Sequence, residues 1–416
     1  MRQDVVVVGA GLAGLAAAVR LAEAGRRVLV LAKGAGSTHL TSGTIDVLGY
    51  TPERVEHPGA ALAGLPPEHP YALLGADAVA AALGWFQGRF DGAYRYVGGL
   101  EENLLLPTAA GAAKPSALVP VTMAGGDLRR PEPICVVGFR ALRDFHPAYV
   151  ADNLGAGGVP ARALELDLEI GGRPDENALG LARRFDDPVF RATVAARLAG
   201  RLEAGERVGF PAALGLRDPA VAWRELQERL GRPVFEIPTL PPSVPGLRGF
   251  RVLEHALRRA GGRIVMGAEV LGFDGAAVRA RAAARDVLHP TDWVVLASGG
   301  FAAGGLALDS RWRARETVLG LPLAGLPVPG APRFVPNYFG AQPMARAGVR
   351  VDAELRPLDA QGDRVRDDVL VAGATLAGAV PWREGSGDGI SLTSGHRAAE
   401  LILAATPARA AVVAAP

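Results

Sequence analysis

The chain has 416 residues, of which 49% are hydrophobic and 21% charged, enough for two or three domains with a sizeable core. Lys and Arg total 45 against 43 Asp and Glu, a net charge of +2, so the basic excess of a nucleic-acid binder is absent. Its one cysteine, Cys135, excludes an intrachain disulfide framework and any Cys-clustered metal or iron–sulfur centre; in the apolar run ICVVG it reads as a small buried hydrophobe.

Asp4 to Val8 (DVVVV) is a buried parallel strand by composition. Gly9 to Gly14 turn the chain, Leu12 to Ala24 is an Ala- and Leu-rich helix, and Gly25 sits where a helix ends. Arg27 to Ala32 is a second buried strand, completing a βαβ unit. No basic-then-apolar leader stands before the first strand, and no run approaches the ~18–20 apolar residues of a membrane span. A cytoplasmic chain is therefore expected, with any membrane contact made through a surface or a partner.

Strands are expected again at Ile134 to Val137, Ala161 to Leu166, Arg207 to Phe210 and Val234 to Ile237. Helices are expected over Asp144 to Leu154, Pro188 to Ala204 and Pro219 to Leu230. Such alternation argues for a parallel sheet covered by helices. The first domain then resumes. Phe250 to Ala260 is helical, Arg263 to Met266 a strand, Val270 to Arg285 a meander, and Trp293 to Ala297 a buried strand running into SGG. Val369 to Ala372 is a late strand, Gly385 to Ser391 a Gly-rich turn, and Thr393 to Leu403 a closing helix. The expected fold class is α/β, with a discontinuous Rossmann-like GxGxxG flavin-binding domain (1–60 and 245–405), an inserted second α/β domain (61–244) and a flexible tail (406–416).

Gly9, Gly11 and Gly14 form G-x-G-x-x-G between a strand and a helix. The first glycine permits the tight turn, the second lets backbone approach a phosphate, and the third lets helix pack on strand. The helix start then offers free N–H groups and partial positive charge to the anion. An acidic residue about 20 positions on normally grips an adenosine ribose, but Ala32, Lys33 and Gly34 stand there. Lys33 either meets a phosphate or is solvated. FMN has no adenosine ribose and does not need the acid; FAD is the alternative.

At the other end, Ser298 and Gly299 close a strand beside the nucleotide. Gly373 ends the late strand, and Gly387, Gly389 and Ile390 precede the closing helix, whose positive end suits a flavin ring carbonyl. The residues expected to hold the cofactor are Gly9, Gly11, Leu12, Ala13, Gly14, Lys33, Thr41, Ser42, Gly43, Ser298, Gly299, Gly373, Gly387, Gly389 and Ile390. No metal is expected.

Several segments resemble, in order from about residue 1 to 403, the B subunit family of anaerobic glycerol-3-phosphate dehydrogenase. They are VVVVGAGLAGLAAAVRLAEAG, STHLTSGTIDVLG, EHPYALL, ICVVGFRALRDF, PTLPPSVPGLR, VVLASGGF and LRPLDAQGDRVRDDVLVAG. PTLPPSVPGLR and ICVVGFRALRDF are far more specific than the glycine fingerprint. The resemblance implies an FMN-bearing subunit that pairs with an FAD-bearing A subunit and a membrane-associated iron–sulfur C subunit on the cytoplasmic face of the inner membrane. The complex it implies oxidises sn-glycerol 3-phosphate to dihydroxyacetone phosphate and passes electrons to menaquinone. A more distant likeness is to the succinate dehydrogenase and fumarate reductase flavoproteins. Some of those carry a Ser-His-Thr run whose histidine bonds to the flavin; here Thr38 separates Ser37 from His39, and Leu40 separates His39 from Thr41. Oxidising a secondary alcohol needs a base near the hydroxyl and cations for the phosphate. His39 is the candidate base, with His396 on the last helix read as structural, and Arg248 and Arg383 are the candidate cations. Two further readings are a stand-alone FAD-dependent oxidoreductase of the fumarate-reductase type and a scaffold with a decayed flavin site.

Overall fold

The computed structural model describes residues 2–90, 94–168, 175–328 and 330–405; the expected tail lies outside them. The elements that frame the site are, in chain order, β1 (Gln3–Val8), α1 (Leu12–Glu23), β2 (Val28–Ala32), β3 (Ile134–Phe139), β4 (Ala161–Leu166), β5 (Arg207–Pro211), β6 (Val234–Ile237), α2 (Val244–Arg259), β7 (Arg263–Met266), β8 (Glu269–Phe273), β9 (Ala277–Ala282), β10 (Arg285–Leu296), β11 (Val369–Val371) and α3 (Gly387–Ala405).

The main sheet runs β7-β2-β1-β10-β9-β8, with β11 also pairing β10. β7, β2, β1, the end of β10 and β11 are parallel, whereas β10, β9 and β8 form an antiparallel meander. β1 is central, flanked by Val28–Leu31 and Trp293–Leu296, so Val5, Val6 and Val7 are fully buried. A strand buried on both faces has no polar side, which is why it reads as an unbroken valine run.

A second, all-parallel sheet has the order β6-β5-β3-β4. Its core runs from Ile134 to Val244 and is rich in aromatics, with Phe139 and Phe185 in contact with each other and each with Phe190 and Phe210. Cys135 lies inside it, fully buried, and desolvation pushes its thiol up to about 11. Helix starts here follow local chemistry. Asp187 and Asp218 each accept a backbone N–H of the helix that begins with the following proline, which fills a donor left open by the helix and uses proline's preset φ. The stretch 62–118, placed by the sequence in the insertion, instead shares the first core through Tyr71, Leu83, Phe86, Tyr96 and Leu118.

The closing helix starts earlier than expected, as does α2, which begins at Val244 rather than Phe250, while the helix expected over Pro188 to Ala204 ends at Leu198. Gly385 does turn the chain, with φ +60°, but the helix begins at Gly387 rather than after the glycines. The low helix propensity of glycine is overridden by tertiary contact. The Gly389 N–H donates to Asp46 O at 2.9 Å, and a Cβ on Gly389 would stand 2.2 Å from the Tyr71 hydroxyl. Side-chain-free backbone is needed there to seat α3.

Candidate functional site: a glycine-lined anion cradle

The cradle opens at the carboxyl end of β1. Gly9 has φ +108°, and a Cβ on it would lie 2.2 Å from Ala297 O. A Cβ on Gly14 would lie 2.0 Å from Gly9 O. Both positions exclude any side chain because backbone already fills the space. Gly11 differs: its φ is ordinary, and a Cβ there meets nothing within 4 Å. The demand for glycine at residue 11 comes from whatever occupies that open space. Gly11 is the N-cap of α1, yet no side chain caps the helix and no acid lies in its first turn. The first-turn N–H groups, including those of Leu12 and Ala13, are left as donors for an anion.

Three polar atoms support the same reading. Among the described residues, Thr38 Oγ1, His39 Nε2 and Ser298 Oγ are buried without a hydrogen-bond partner. Gly36, two residues before Thr38, packs on Gly11, since its Cβ would be 3.1 Å from Gly11 Cα. Ser298 follows Ala297, whose N–H donates to Val8 O at 2.9 Å. Orphaned buried polar groups cost about 1–3 kcal/mol each, a penalty that a polar cofactor relieves. The residues present therefore fit a flavin nucleotide.

α3 closes the other side. A Cβ on Gly395 would sit 2.1 Å from Ala13 O, so α1 and α3 touch backbone to backbone. Gly373 lies beneath them, its N–H donating to Ser394 Oγ at 2.8 Å, and a Cβ there would reach Ala13 Cβ at 2.9 Å and Ser391 Oγ at 3.7 Å. Gly299 exchanges two hydrogen bonds with the Thr375 hydroxyl. Gly387 and Gly389 are in the first turn of α3, and the Ile390 N–H is taken by Ser386 O. On the facing loop, Thr41 Oγ1 accepts from the Gly43 N–H at 3.4 Å, Ser42 Oγ contacts Thr44 Oγ1 at 2.7 Å, and Gly43 is pressed against Pro245.

The remaining expected residues are dispersed. Lys33 is exposed at the end of β2, paired with Glu269 at 2.8 Å. His39 is half-buried with its ring edge-on to Phe250, and burial followed by the charge of Arg251 lowers its pKa. His396, on α3, packs on Trp85 with ring centroids 5.5 Å apart. Arg383 is exposed beside Trp382. Arg248 is buried, with both Nη atoms on the Glu236 carboxylate at 2.8 and 3.0 Å, Gly215 O accepting from Nε at 2.9 Å, and Tyr94 OH at 3.4 Å. Its donors are spent inside the protein. Neither Arg248 nor Arg383 is brought to the cradle by these contacts. The sequence missed Asp46, Lys114 and Ser116, whose side chains bond to one another beside the start of α3, where the Gly389 N–H donates to Asp46 O. Lys114 lies on a short strand, Ala113–Ser116, too brief to carry a periodicity signal.

The model of the FAD binding domain family matches residues 4–390. A Halobacterium salinarum protein, named as the probable B subunit of anaerobic glycerol-3-phosphate dehydrogenase, is 34% identical over 420 residues, covering 96% of this chain and 97% of that protein. This chain belongs to that B subunit family. The Pectobacterium carotovorum member, the B subunit of an anaerobic glycerol-3-phosphate dehydrogenase, is also 34% identical, over 97% of this chain and 99% of its own length. A flavocytochrome c3 fumarate reductase in its open conformation aligns with a TM-score of 0.41 and 11% identity, over 97% of this chain and 79% of that one; that likeness is too distant to speak to activity. This B subunit family member is thus a flavoprotein with a discontinuous α/β flavin domain. Among its described residues no helix is long and apolar enough to cross a membrane, and no group of His, Cys, Asp or Glu is arranged to hold a metal.

Proposed function

We propose that this chain is the flavin-bearing subunit of an anaerobic glycerol-3-phosphate dehydrogenase, supporting oxidation of sn-glycerol 3-phosphate to dihydroxyacetone phosphate and passing electrons toward the menaquinone pool. The single observation that carries the flavin is the open space at Gly11, facing an uncapped helix start and walled by backbone at Gly9 and Gly14. The substrate comes from the named function of relatives aligned over nearly the whole chain. When bound, the flavin accepts two electrons and releases them singly. The protein's own work is to hold the phosphate at the start of α1 and to present the buried polar atoms of Thr38, His39 and Ser298 to the cofactor.

FMN is the cofactor favoured by β2, which ends in Ala32 and a Lys33 already paired with Glu269 rather than in a ribose-binding carboxylate. FAD is favoured by the matched family model. Release in acid followed by mass determination separates the two, and flavin that stays with the chain would point to a covalent bond at His39.

The partners we assign are an FAD-bearing A subunit and an iron–sulfur C subunit that brings the complex to the cytoplasmic face of the inner membrane, delivering electrons to a quinone. Purified alone and loaded with flavin, the chain should be reduced slowly by glycerol 3-phosphate, and quickly once its partners are added. Rapid reduction in isolation would show that this chain oxidises the alcohol itself rather than passing on electrons from the A subunit, and a chain that purifies colourless and binds neither flavin would overturn the whole assignment.

A further inference from the structure

The loop from Gly36 to Gly43 rests on Gly11 through Gly36 and carries the unpartnered Thr38 Oγ1 and His39 Nε2. None of the residues in its helical turn, Gly36–Leu40, is a core residue, so its shape comes from what it touches. The start of α2 is moulded to it. The Ser243 N–H donates to His39 O at 2.9 Å. A Cβ on Gly246 would stand 2.0 Å from Thr38 O, and one on Gly43 would stand 2.3 Å from Pro245 Cβ. The His39 ring meets Phe250 edge-on, with centroids 5.0 Å apart. Backbone this close leaves no slack, so where α2 begins decides where Thr38 and His39 lie.

One turn into α2, Arg248 ties the helix to the second sheet. Its Nη1 and Nη2 reach the two carboxylate oxygens of Glu236, on β6, at 2.8 and 3.0 Å. Nε and Nη2 both donate to Gly215 O, and Nη1 also reaches Tyr94 OH at 3.4 Å. A guanidinium has five N–H donors, and all are taken. The Glu236 carboxylate is filled as well, by the Thr122 hydroxyl at 2.7 Å and the Leu214 N–H at 2.8 Å. Between the paired residues runs Pro-Thr-Leu-Pro-Pro-Ser-Val-Pro, 238–245, whose four prolines restrict the backbone. This segment belongs to the most distinctive stretch of the sequence, PTLPPSVPGLR, and it joins the second sheet to the cofactor loop.

A buried ion pair adds little stability over well-packed apolar side chains of similar volume, because desolvation offsets the attraction. What it supplies, and a methionine does not, is direction: the guanidinium fork meets a carboxylate in one plane and one orientation. We propose that Glu236 and Arg248 are positioning residues for the flavin loop. Their pair clamps the start of α2 to the second sheet, and the clamped helix sets where Thr38 and His39 stand when the flavin binds. Groups that meet a ligand must be held to within about 0.5 Å by the residues behind them, and for this loop the start of α2 is such a backing.

The inference rests on the flavin reading above, but one arm of its test needs no flavin. The double variant Glu236→Met/Arg248→Met removes the fork and leaves no stranded charge. In its flavin-free form the Ser243 amide should exchange with solvent about tenfold faster than in the wild type, or more, while amides bonded within β5 and β6 keep wild-type protection; a purely structural role would move both sets together. In flavin titrations followed by fluorescence the same variant should bind about tenfold more weakly, or more, as expected when one or two hydrogen bonds from the loop are misplaced. Arg248→Lys keeps the charge but not the fork. It should show both effects to a smaller degree, and it carries the measurements if the double variant does not fold. A folded variant with wild-type protection at Ser243 would overturn the clamp, whether or not flavin binds. Faster exchange at Ser243 with wild-type flavin affinity would overturn the positioning role. If the wild type itself binds no flavin, the cradle reading fails, and the exchange measurement still decides the clamp.

Discussion

Replacing Gly11 by valine separates the demands of folding from those of the cofactor. The backbone at residue 11 is ordinary, with φ −73°, and a Cβ there meets no atom within 4 Å. The flavin-free protein should accordingly lose only the N-cap preference of glycine over valine, about 1 kcal/mol, a shift in Tm of no more than about 2–4 °C. The side chain instead fills the space in which a phosphate meets the α1 amides. Displacing the anion by one side-chain radius forfeits at least one charge-assisted hydrogen bond, about 1.5–3 kcal/mol, so flavin should bind roughly 10- to 150-fold more weakly. Gly9→Val is the contrast. At φ +108°, with Ala297 O 2.2 Å from the new Cβ, backbone strain and overpacking add to about 3 kcal/mol or more before any ligand is present. Thermal unfolding of the flavin-free proteins and quenching of flavin fluorescence on titration measure the two effects. The reasoning fails if Gly11→Val binds flavin with wild-type affinity, or melts as early as Gly9→Val.

Two further outcomes follow from buried charge. Arg248→Met should destabilise the chain by about 3–5 kcal/mol, because it strands the Glu236 carboxylate in a core where Thr122 and the Leu214 N–H alone remain to satisfy it; denaturant unfolding reads the loss, and the double variant Glu236→Met/Arg248→Met should recover much of it. Glu384 is the pH-sensitive case. Burial alone would raise its pKa, but His69 Nε2, the Val380 N–H and the Ser386 hydroxyl donate to it and hold it below the usual carboxylate range. A lowered folded pKa contributes stability above the ordinary glutamate value of about 4.3, and that contribution disappears as pH falls through the folded value. Wild-type Tm should therefore fall below about pH 4.3 more steeply than that of Glu384→Gln; parallel curves would remove Glu384 from the account.

The parts of the molecule legible in the sequence are those encoded by neighbours. The valine run of β1, the spacing of Gly9, Gly11 and Gly14, and the Asp-Pro starts at residues 187–188 and 218–219 each carry their reason within a few positions. What was not legible depends on partners far along the chain. Arg248 looks like a free phosphate ligand until Glu236 and Gly215 are folded against it. Gly387 and Gly389 look like a turn until Tyr71 and Asp46 require bare backbone at Gly389 within a helix. Lys114 and Asp46 come from separated segments with no shared pattern, so nothing local marks them as an ion pair. The same holds for 62–118, whose short strands and helices show no periodicity strong enough to assign them to the first core.

The order of the main sheet has a consequence for biosynthesis. β1 and β2 are made first, yet β1's other neighbour is the end of β10, and β11 and α3 follow still later. While the ribosome is working through the intervening 250 residues or so, the glycine turn is present with one flank bare. Cofactor capture therefore belongs to the finished polypeptide: a nascent chain halted before Gly395 has nothing to lay across Ala13, and should emerge without colour.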